Sequence, residues 1–133
     1  MWDWVKKWLA ARRRASDPLG QRGENLAASF LRNQGFKIIA RNFRCELEEV
    51  DIIARDGATL VFVEVKTRAY DDPTPEEQIN AQKRHQLTKA ARLYLSRYGP
   101  HQPPARFDVV AIVWPRGREA QIRHTPNAFE ATF

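Results

Sequence analysis

The segment EEVDIIARDGATLVFVEVKTR, residues 48–68, constrains the fold of this chain more than any other stretch. Its two runs of branched apolar residues predict neighbouring β-strands, because such side chains suit the half-buried surface of a sheet. Asp56 and Gly57 between the runs are typical of a hairpin turn. Charged residues nevertheless interrupt both runs: Glu49, Asp51, Glu64 and Lys66. The predicted hairpin therefore carries three carboxylates and an ammonium within its most strand-like sequence.

Side chains alternate across a strand, so the two predicted strands each have an apolar and a charged face. The predicted core face comprises Val50, Ile52, Ala54, Val61, Val63 and Val65. The opposite face carries Asp51 and Glu64, and the two are in phase if the hairpin loop contains an even number of residues. Ile53 and Phe62 share that charged face, which indicates that it is at least partly covered.

Periodicity along the rest of the chain alternates between helical and strand-like patterns. The predicted elements are a helix over 18–34, strands over 36–44, 50–55 and 59–68, a long helix over 75–98, a strand over 106–114, a short edge strand over 120–124 and a closing helical turn over 127–129. The core order αβββαβ, with apolar stripes on both helices, predicts an α/β fold in which helices flank a mixed β-sheet.

The chain is predicted to contain one domain over residues 17–133, preceded by a basic, tryptophan-rich helix over residues 1–16. A length of 133 residues suits one domain with a single core. The N-terminal helix could contact a membrane surface or nucleic acid, or could fold its tryptophans back onto the domain.

The formal net charge of +6 favours a polyanionic partner such as nucleic acid. The only cysteine, Cys45, cannot form an intramolecular disulfide, and no zinc-binding spacing accompanies it. A cytoplasmic location is the resulting expectation. No apolar run approaches the roughly 20 residues that span a bilayer. The N-terminus also lacks the apolar core of a signal peptide.

Two charged residues lie on helix stripes that are predicted to face the sheet. Glu24 precedes Ala27, Ala28 and Leu31 by three, four and seven positions, which places it on the inward stripe of the first helix. A favourable interaction of this glutamate with the helix dipole is the alternative. Lys83 lies on the inward stripe of the long helix, where it could contact phosphate or could extend past the apolar surface to solvent.

A cluster of carboxylates on rigid elements predicts a Mg²⁺ site, because Mg²⁺ takes oxygen ligands and keeps several waters for substrate phosphates. The alternative is a solvated sheet face with a cross-strand ion pair, which contributes ~0.2–1 kcal/mol. The metal interpretation is favoured because like-charged carboxylates on neighbouring strands repel one another unless a cation lies between them.

Asp51, followed on the next strand by Glu64, Val65 and Lys66, resembles the two halves of the PD-(D/E)xK nuclease signature. Glu24 resembles the acidic residue on the first helix of archaeal-type Holliday junction resolvases. The chain is further similar to the YraN family of bacterial proteins from about residue 20 to 129, through GQRGENLAASFLRNQGFKIIARNFR, EEVDIIARDG, LVFVEVKTR, KAARLYL, RFDVVAI and NAF. This resemblance implies a restriction-endonuclease-like fold. The family has no assigned activity, so the expectation of a nuclease comes from the PD-(D/E)xK motif and not from the family.

The resemblance implies that Glu24, Asp51, Glu64 and Lys66 are catalytic. Asp51, Glu64 and the backbone carbonyl of Val65 would hold Mg²⁺ or Mn²⁺ against a scissile phosphate. Lys66 would orient the attacking water or stabilise the charge that develops on the phosphate. Glu24 would complete the outer shell of the metal or bind a second ion.

Further contacts with phosphate or substrate are predicted for Lys83, Arg68, Arg22 and Tyr70. The loop over residues 67–76 is predicted to act as a mobile flap over the site. Two features depart from the family pattern, namely Glu48 in place of a glycine and the acidic loop AYDDPTPEE. Both add negative charge near the predicted path of the phosphates, which opposes tight DNA binding.

Two functions from different classes follow. The first is a metal-dependent endonuclease acting on DNA, with branched or otherwise structured DNA as a candidate substrate. The second is a nucleic-acid-binding protein that keeps the nuclease fold but does not cleave. Junction resolvases of this fold act as two-fold dimers, which suggests a homodimer, because two symmetric cuts need two sites.

Overall fold

The computed structural model describes residues 18–46 and 48–132. The helix predicted over residues 1–16 lies outside the described residues. The described chain contains the helices and strands α1 (Pro18–Asn33), β1 (Lys37–Cys45), β2 (Glu48–Asp56), β3 (Thr59–Arg68), α2 (Ala81–Leu95), β4 (Ala105–Val113) and β5 (Gln121–Phe129), with short 3-10 helices at Pro75–Gln78 and Ser96–Tyr98. No described helix is long and apolar enough to cross a bilayer.

The five strands form one mixed sheet in the order β1-β2-β3-β4-β5. β3 and β4 are parallel, whereas each of the other neighbouring pairs is antiparallel. A parallel pair needs a crossover connection, and α2 lies in the segment that joins β3 to β4. The predicted α/β fold, a mixed sheet flanked by helices, is confirmed, and it is compatible with a restriction-endonuclease-like fold.

Both faces of the sheet are covered, each by one helix. The α1 side buries Ala27, Ala28, Leu31, Ile52, Ala54, Val61, Val63, Val65, Val110 and Ile112. The α2 side buries Val50, Ile53, Leu60, Phe62, Leu87, Ala90, Ala91, Tyr94 and Phe107. Each fully buried Val, Leu, Ile or Phe side chain contributes about 1.5–3 kcal/mol. The near-continuous apolar sequence of β3 therefore reflects burial on both faces, not on one.

The hairpin between β2 and β3 has the predicted phase. Asp56 pairs with Thr59, which leaves a loop of two residues, and Gly57 adopts a φ of 59° that a side chain would disfavour. Val50 is buried as predicted, but the prediction that it shares a face with Ile52 and Ala54 is wrong, because it lies opposite Phe43 in β1 and contributes to the α2 side of the core. The pairing of β2 with β3 ends at Ile52, so the strict alternation of faces breaks down beyond that residue.

The long helix predicted over residues 75–98 is interrupted. A 3-10 turn ends at Gln78, and α2 begins after Asn80. Asn80 has an extended backbone (ψ 178°), and its side chain caps the helix by accepting a hydrogen bond from Lys83 N at 2.9 Å. Asparagine is a favourable N-cap because its side-chain oxygen satisfies a free backbone N–H of the first turn.

The short edge strand predicted over residues 120–124 is too short, and the helical turn predicted for residues 127–129 is wrong. These residues belong to β5, and Phe129 pairs with Phe107, with their rings stacked 4.8 Å apart. A register shift between Phe107 and Val109, together with a positive φ of 49° at Asn127, allows the strand to continue. The buried carboxylate of Asp108 accepts a hydrogen bond from Asn127 N at 2.9 Å.

Candidate active site

β2 and β3 separate at the point where the two motif carboxylates lie. Their pairing runs from Asp56 and Thr59 to Ile52 and Val63, one step short of Asp51 and Glu64. Asp51 Oδ2 instead accepts a hydrogen bond from the backbone N–H of Val65 at 2.8 Å. The Asp51 side chain therefore takes the place of a backbone carbonyl as the partner of the Val65 N–H. This hydrogen bond holds the Asp51 carboxylate in the gap between the strands.

The gap opens into a cavity of about 300 Å³. The cavity is lined by Gly20, Glu24, Glu49, Asp51, Glu64, Val65, Lys66, Thr67, Arg68 and Lys83. The structure thus brings together all four residues predicted to be catalytic, the predicted metal ligands, and two of the predicted phosphate contacts, Lys83 and Arg68. Their chemical roles stay predictions.

Glu24 reaches the cavity from α1. The helix lies very close to β3 there, because a Cβ on Gly23 would overlap Oγ1 of Thr67. The Glu24 side chain is 19% exposed, and Arg41 Nη2 lies 3.9 Å from its Oε2. Burial and the neighbouring Asp51 carboxylate raise the pKa of Glu24 to about 8.

Glu64 reaches the cavity from the α2 side of the sheet. It is only 5% exposed, and Lys83 Nζ lies 3.2 Å from its Oε2. Burial and the Asp51 carboxylate raise the pKa of Glu64 well above its usual range, against the opposing effect of Lys83. The alternative of a solvated cross-strand ion pair is wrong, because the partner is a helix lysine and the carboxylate is buried.

The arrangement of carboxylates fits a hard divalent cation. Asp51 is a hydrogen-bonding neighbour of both Glu24 and Glu64, and its charge raises the pKa of each. A cation among these groups would relieve that repulsion. Among the described residues, no group of three or more His, Cys, Asp or Glu side chains is placed so that it could hold a metal ion. Two carboxylates and a backbone oxygen nevertheless suit Mg²⁺, which commonly keeps several water ligands.

Asn42 is a site residue that the sequence pattern did not identify. It occupies the left-handed region with a φ of 54° and lies in β1, between the Arg41–Ile52 and Phe43–Val50 pairs, so that it is opposite Asp51. With its amide nitrogen turned toward the carboxylates, it lies 2.9 Å from Glu49 Oε1 and 3.2 Å from Glu24 Oε2. An asparagine inside a strand was the available signal, because asparagine is depleted in strands and tolerates this backbone conformation.

Two predicted contact residues lie outside the cavity lining. The guanidinium of Arg22 stacks over the ring of Trp114 at 4.1 Å from its centroid. Tyr70 is 78% exposed on the loop that follows β3. Glu49, on the cavity wall, lies 3.7 Å from Arg44 Nε, so Arg44 partly neutralises it.

The acidic loop after β3 is held by Arg123 of β5. Arg123 donates to both carboxylate oxygens of Asp71, at 2.9 and 2.7 Å, and to both of Glu76, at 2.8 Å each. These bonds lower the pKa of Asp71 and of Glu76. Two of the acids that were expected to oppose phosphate binding are therefore already neutralised.

Residues 23–112 match the model of a family described as "Uncharacterised protein family UPF0102". A "UPF0102 protein" of Geobacter metallireducens is 45% identical over 116 residues, which cover 86% of this chain and 94% of the relative. A "UPF0102 protein" of Symbiobacterium thermophilum is 49% identical over 85% of this chain and 97% of its own length.

Proposed function

The chain belongs to the uncharacterised UPF0102 (YraN) family, and from its own site we propose that it is a metal-dependent endonuclease that hydrolyses phosphodiester bonds in DNA. The observation that carries this proposal is the position of Asp51. Its carboxylate, held by Val65 N at 2.8 Å, shares one cavity with Glu24, Glu64 and Lys66. Carboxylates held close together repel one another and destabilise the fold unless a cation binds between them. Mg²⁺ and similar divalent ions prefer carboxylate oxygens as ligands.

Mg²⁺ or Mn²⁺, when bound, would polarise the phosphoryl oxygen and lower the pKa of a bound water. Asp51 and Glu64 would hold the ion, with the carbonyl of Val65 as a third ligand. Glu24 would accept hydrogen bonds from water in the outer shell. Lys66, on the cavity wall, would orient the attacking water or stabilise negative charge on the phosphate.

DNA is the proposed partner because cations border the carboxylates and the whole chain has a net charge of +6. Lys83 and Arg68 line the cavity together with Lys66. Arg68 makes no ion pair with another described residue, since its partners are the neutral oxygens of Gln78 and Thr67. Its positive charge is therefore available to a phosphate.

The test is incubation of the pure protein with labelled duplex, single-stranded and four-way-junction DNA, in Mg²⁺, Mn²⁺ or EDTA. We expect cleavage only with a divalent ion, and loss of cleavage in Asp51→Ala. Glu119→Gln, an exposed acid outside the cavity, is the matched control and should cleave normally. Cleavage that survives Asp51→Ala would point to a contaminating nuclease and contradict the proposal.

A protein that binds nucleic acid without cleaving it is the second candidate. Its support is that the site's own cations already compensate the acids, since Lys83 lies 3.2 Å from Glu64 and Arg41 lies 3.9 Å from Glu24. DNA binding without cleavage under every metal condition would favour this candidate.

Two further parts of the proposal concern the whole protein. A two-fold dimer is expected if the substrate is a junction, because symmetric cuts need two sites. Light scattering of the protein, with and without junction DNA, would measure whether the protein is a dimer. A cytoplasmic location is proposed because Cys45 is a free thiol and offers no intramolecular disulfide.

A further inference from the structure

We propose that the loop after β3 presents Tyr70 as a stacking platform for an unpaired base. The inference rests on the nucleic-acid partner proposed above and deepens it. The substrate class would be DNA that has at least one unpaired nucleotide next to the phosphate held in the cavity, and not continuous duplex.

Tyr70 is the most exposed of the large hydrophobic residues that the structure describes as exposed. Of the described residues, the exposed large hydrophobic ones are Ile39 at 37%, Leu93 at 52% and Tyr70 at 78%. Tyr70 makes no hydrogen bond and no ring contact with another described residue. A tyrosine ring can bury about 150–250 Å² of surface in a contact, so this ring leaves a large apolar surface in water.

The loop that carries Tyr70 is braced on the C-terminal side of that residue. Asp71, the next residue, is bound by two guanidinium nitrogens of Arg123 at 2.9 and 2.7 Å. Further along, Thr74 and Glu77 form a reciprocal cap, with hydrogen bonds of 2.9 and 3.3 Å. An aromatic side chain on a braced loop loses little conformational entropy when a ligand binds to it.

Tyr70 follows closely in the chain after Arg68, the cation proposed to bind a phosphate. Arg68 lines the cavity, donates to Gln78 Oε1 at 2.9 Å and makes no ion pair with another described residue. Tyr70 is two residues further along the chain, and its Cα therefore lies at most about 7 Å from that of Arg68. Neighbouring phosphate and base groups of one strand fall within that distance. Arg68 can therefore hold a backbone phosphate while Tyr70 contacts an adjacent base.

An unpaired base fits this surface better than a paired one. In a continuous duplex, the faces of each base are covered by its neighbours, so a protein ring can stack only on a base that has left the helix. Stacking of a base on an aromatic side chain changes affinity by about 5- to 150-fold when the side chain is replaced by alanine. The effect is tolerant of sequence, because every base has a π-face.

The experiment compares the affinity of the full chain for a labelled duplex with that for the same duplex carrying one unpaired 2-aminopurine, in EDTA so that neither DNA is cut. We expect the bulged DNA to bind more tightly and its 2-aminopurine fluorescence to be quenched. Tyr70→Ala should weaken binding of the bulged DNA by about 5- to 150-fold and remove the quenching, with little effect on the duplex. Tyr70→Trp should restore both, and Leu93→Ala, a matched exposed hydrophobic residue, should change neither.

The outcomes separate this inference from the proposed nuclease. Cleavage that depends on Asp51, combined with quenching that Tyr70→Ala leaves unchanged, would overturn the stacking platform and keep the nuclease. Quenching that depends on Tyr70, without cleavage in Mg²⁺ or Mn²⁺, would support the platform and overturn the nuclease. An absence of binding to either DNA, together with an absence of cleavage in Mg²⁺ or Mn²⁺, would overturn both.

Discussion

Asp51 combines a structural and a chemical task in one carboxylate. One oxygen accepts the Val65 N–H at 2.8 Å, which satisfies a backbone donor that would otherwise lose its partner where the strands separate. The same group raises the pKa of Glu24 and of Glu64. A residue that repels one buried and one half-buried carboxylate costs stability, as is common for groups kept for function.

This division of tasks predicts the effect of Asp51→Asn. The amide oxygen can still accept from Val65 N–H, while the negative charge is lost. We expect the metal-free protein to become more stable by about 0.5–2 kcal/mol at pH 8, because one source of repulsion disappears. Cleavage and metal binding should be abolished. Urea unfolding in EDTA measures the first effect, and a loss of stability there would show that the charge of Asp51 does not oppose folding.

Asn42 is predicted to position the acids. Its amide faces Glu24 Oε2 and Glu49 Oε1 at 3.2 and 2.9 Å. Asn42→Ala should weaken Mn²⁺ binding about 10- to 100-fold, the range for groups that orient metal ligands. Titration calorimetry with Mn²⁺ measures the effect directly.

The matched variant for Asn42 is Asn42→Gly, which accepts the φ of 54° without strain but has no amide. If glycine restores Mn²⁺ affinity, the backbone conformation and not the amide is what matters, and the positioning role is wrong.

The sequence pattern predicted some residues in and around the cavity and missed others, for a physical reason. Glu24 and Lys83 were found because helical periodicity shows which face a residue occupies, and Glu64 because strands alternate. Asn42 and Arg123 were missed. The contacts of Asn42 depend on the register between β1 and β2, and those of Arg123 depend on how the loop after β3 packs against β5. Neither feature can be inferred from the spacing of residues along the chain.

At the scale of elements, the close approach of α1 to β3 is what delivers Glu24 to the cavity. Gly23 is buried, and an added Cβ would lie 2.8 Å from the Cβ of Thr67. Gly23→Ala should therefore destabilise the protein by about 1–3 kcal/mol, the cost of overfilling a tight contact. It should also weaken metal binding, because the helix must move away from the strand.

Chemical denaturation and Mn²⁺ titration of Gly23→Ala test these effects. The double variant Gly23→Ala/Thr67→Gly removes the overlap and should recover both properties in part. Equal losses in the single and double variants would mean that the helix contact does not position Glu24.

The elements themselves were largely predictable, and the errors have identifiable causes. The runs of β2 and β3 and the first helix ended within two residues of their predicted bounds, since long periodic patterns with turn signals leave few alternatives. The interruption before α2 was missed because Ile79 continues the apolar stripe across it. β5 was misassigned because Pro126 and Asn127 resemble a turn, whereas the buried Asp108 holds the strand through Asn127 N and His124 Nε2, at 2.9 and 2.8 Å.

At the scale of the whole molecule, the site joins the two halves of the core. Glu24 belongs to α1, whereas Glu64 and its partner Lys83 lie on the α2 side of the sheet. Acids from opposite faces can meet only where the sheet opens, and it opens beyond Ile52 and Val63. The charge state of the site must therefore influence the stability of the entire fold.

This coupling predicts how stability depends on pH. Glu24 has a pKa of about 8 in the folded protein against 4.5 as the ordinary value, and the pKa of Glu64 is also raised. Between these two values the folded protein binds more protons than the unfolded chain, so the free energy of unfolding should fall as pH rises from about 4.5 to about 8. Glu24→Gln should flatten this fall, because the variant cannot ionise at that position.

A divalent cation should reverse the trend, because it binds the ionised carboxylates and displaces their protons. At a concentration about 100-fold above its dissociation constant, Mg²⁺ or Mn²⁺ should stabilise the protein by about 2.7 kcal/mol. This gain should be largest near pH 8 and absent in Asp51→Asn. Thermal unfolding at several pH values, with EDTA or metal, measures it. An equal gain in Asp51→Asn would place the ion elsewhere on the protein, and the cavity between β2 and β3 would then not be the metal site.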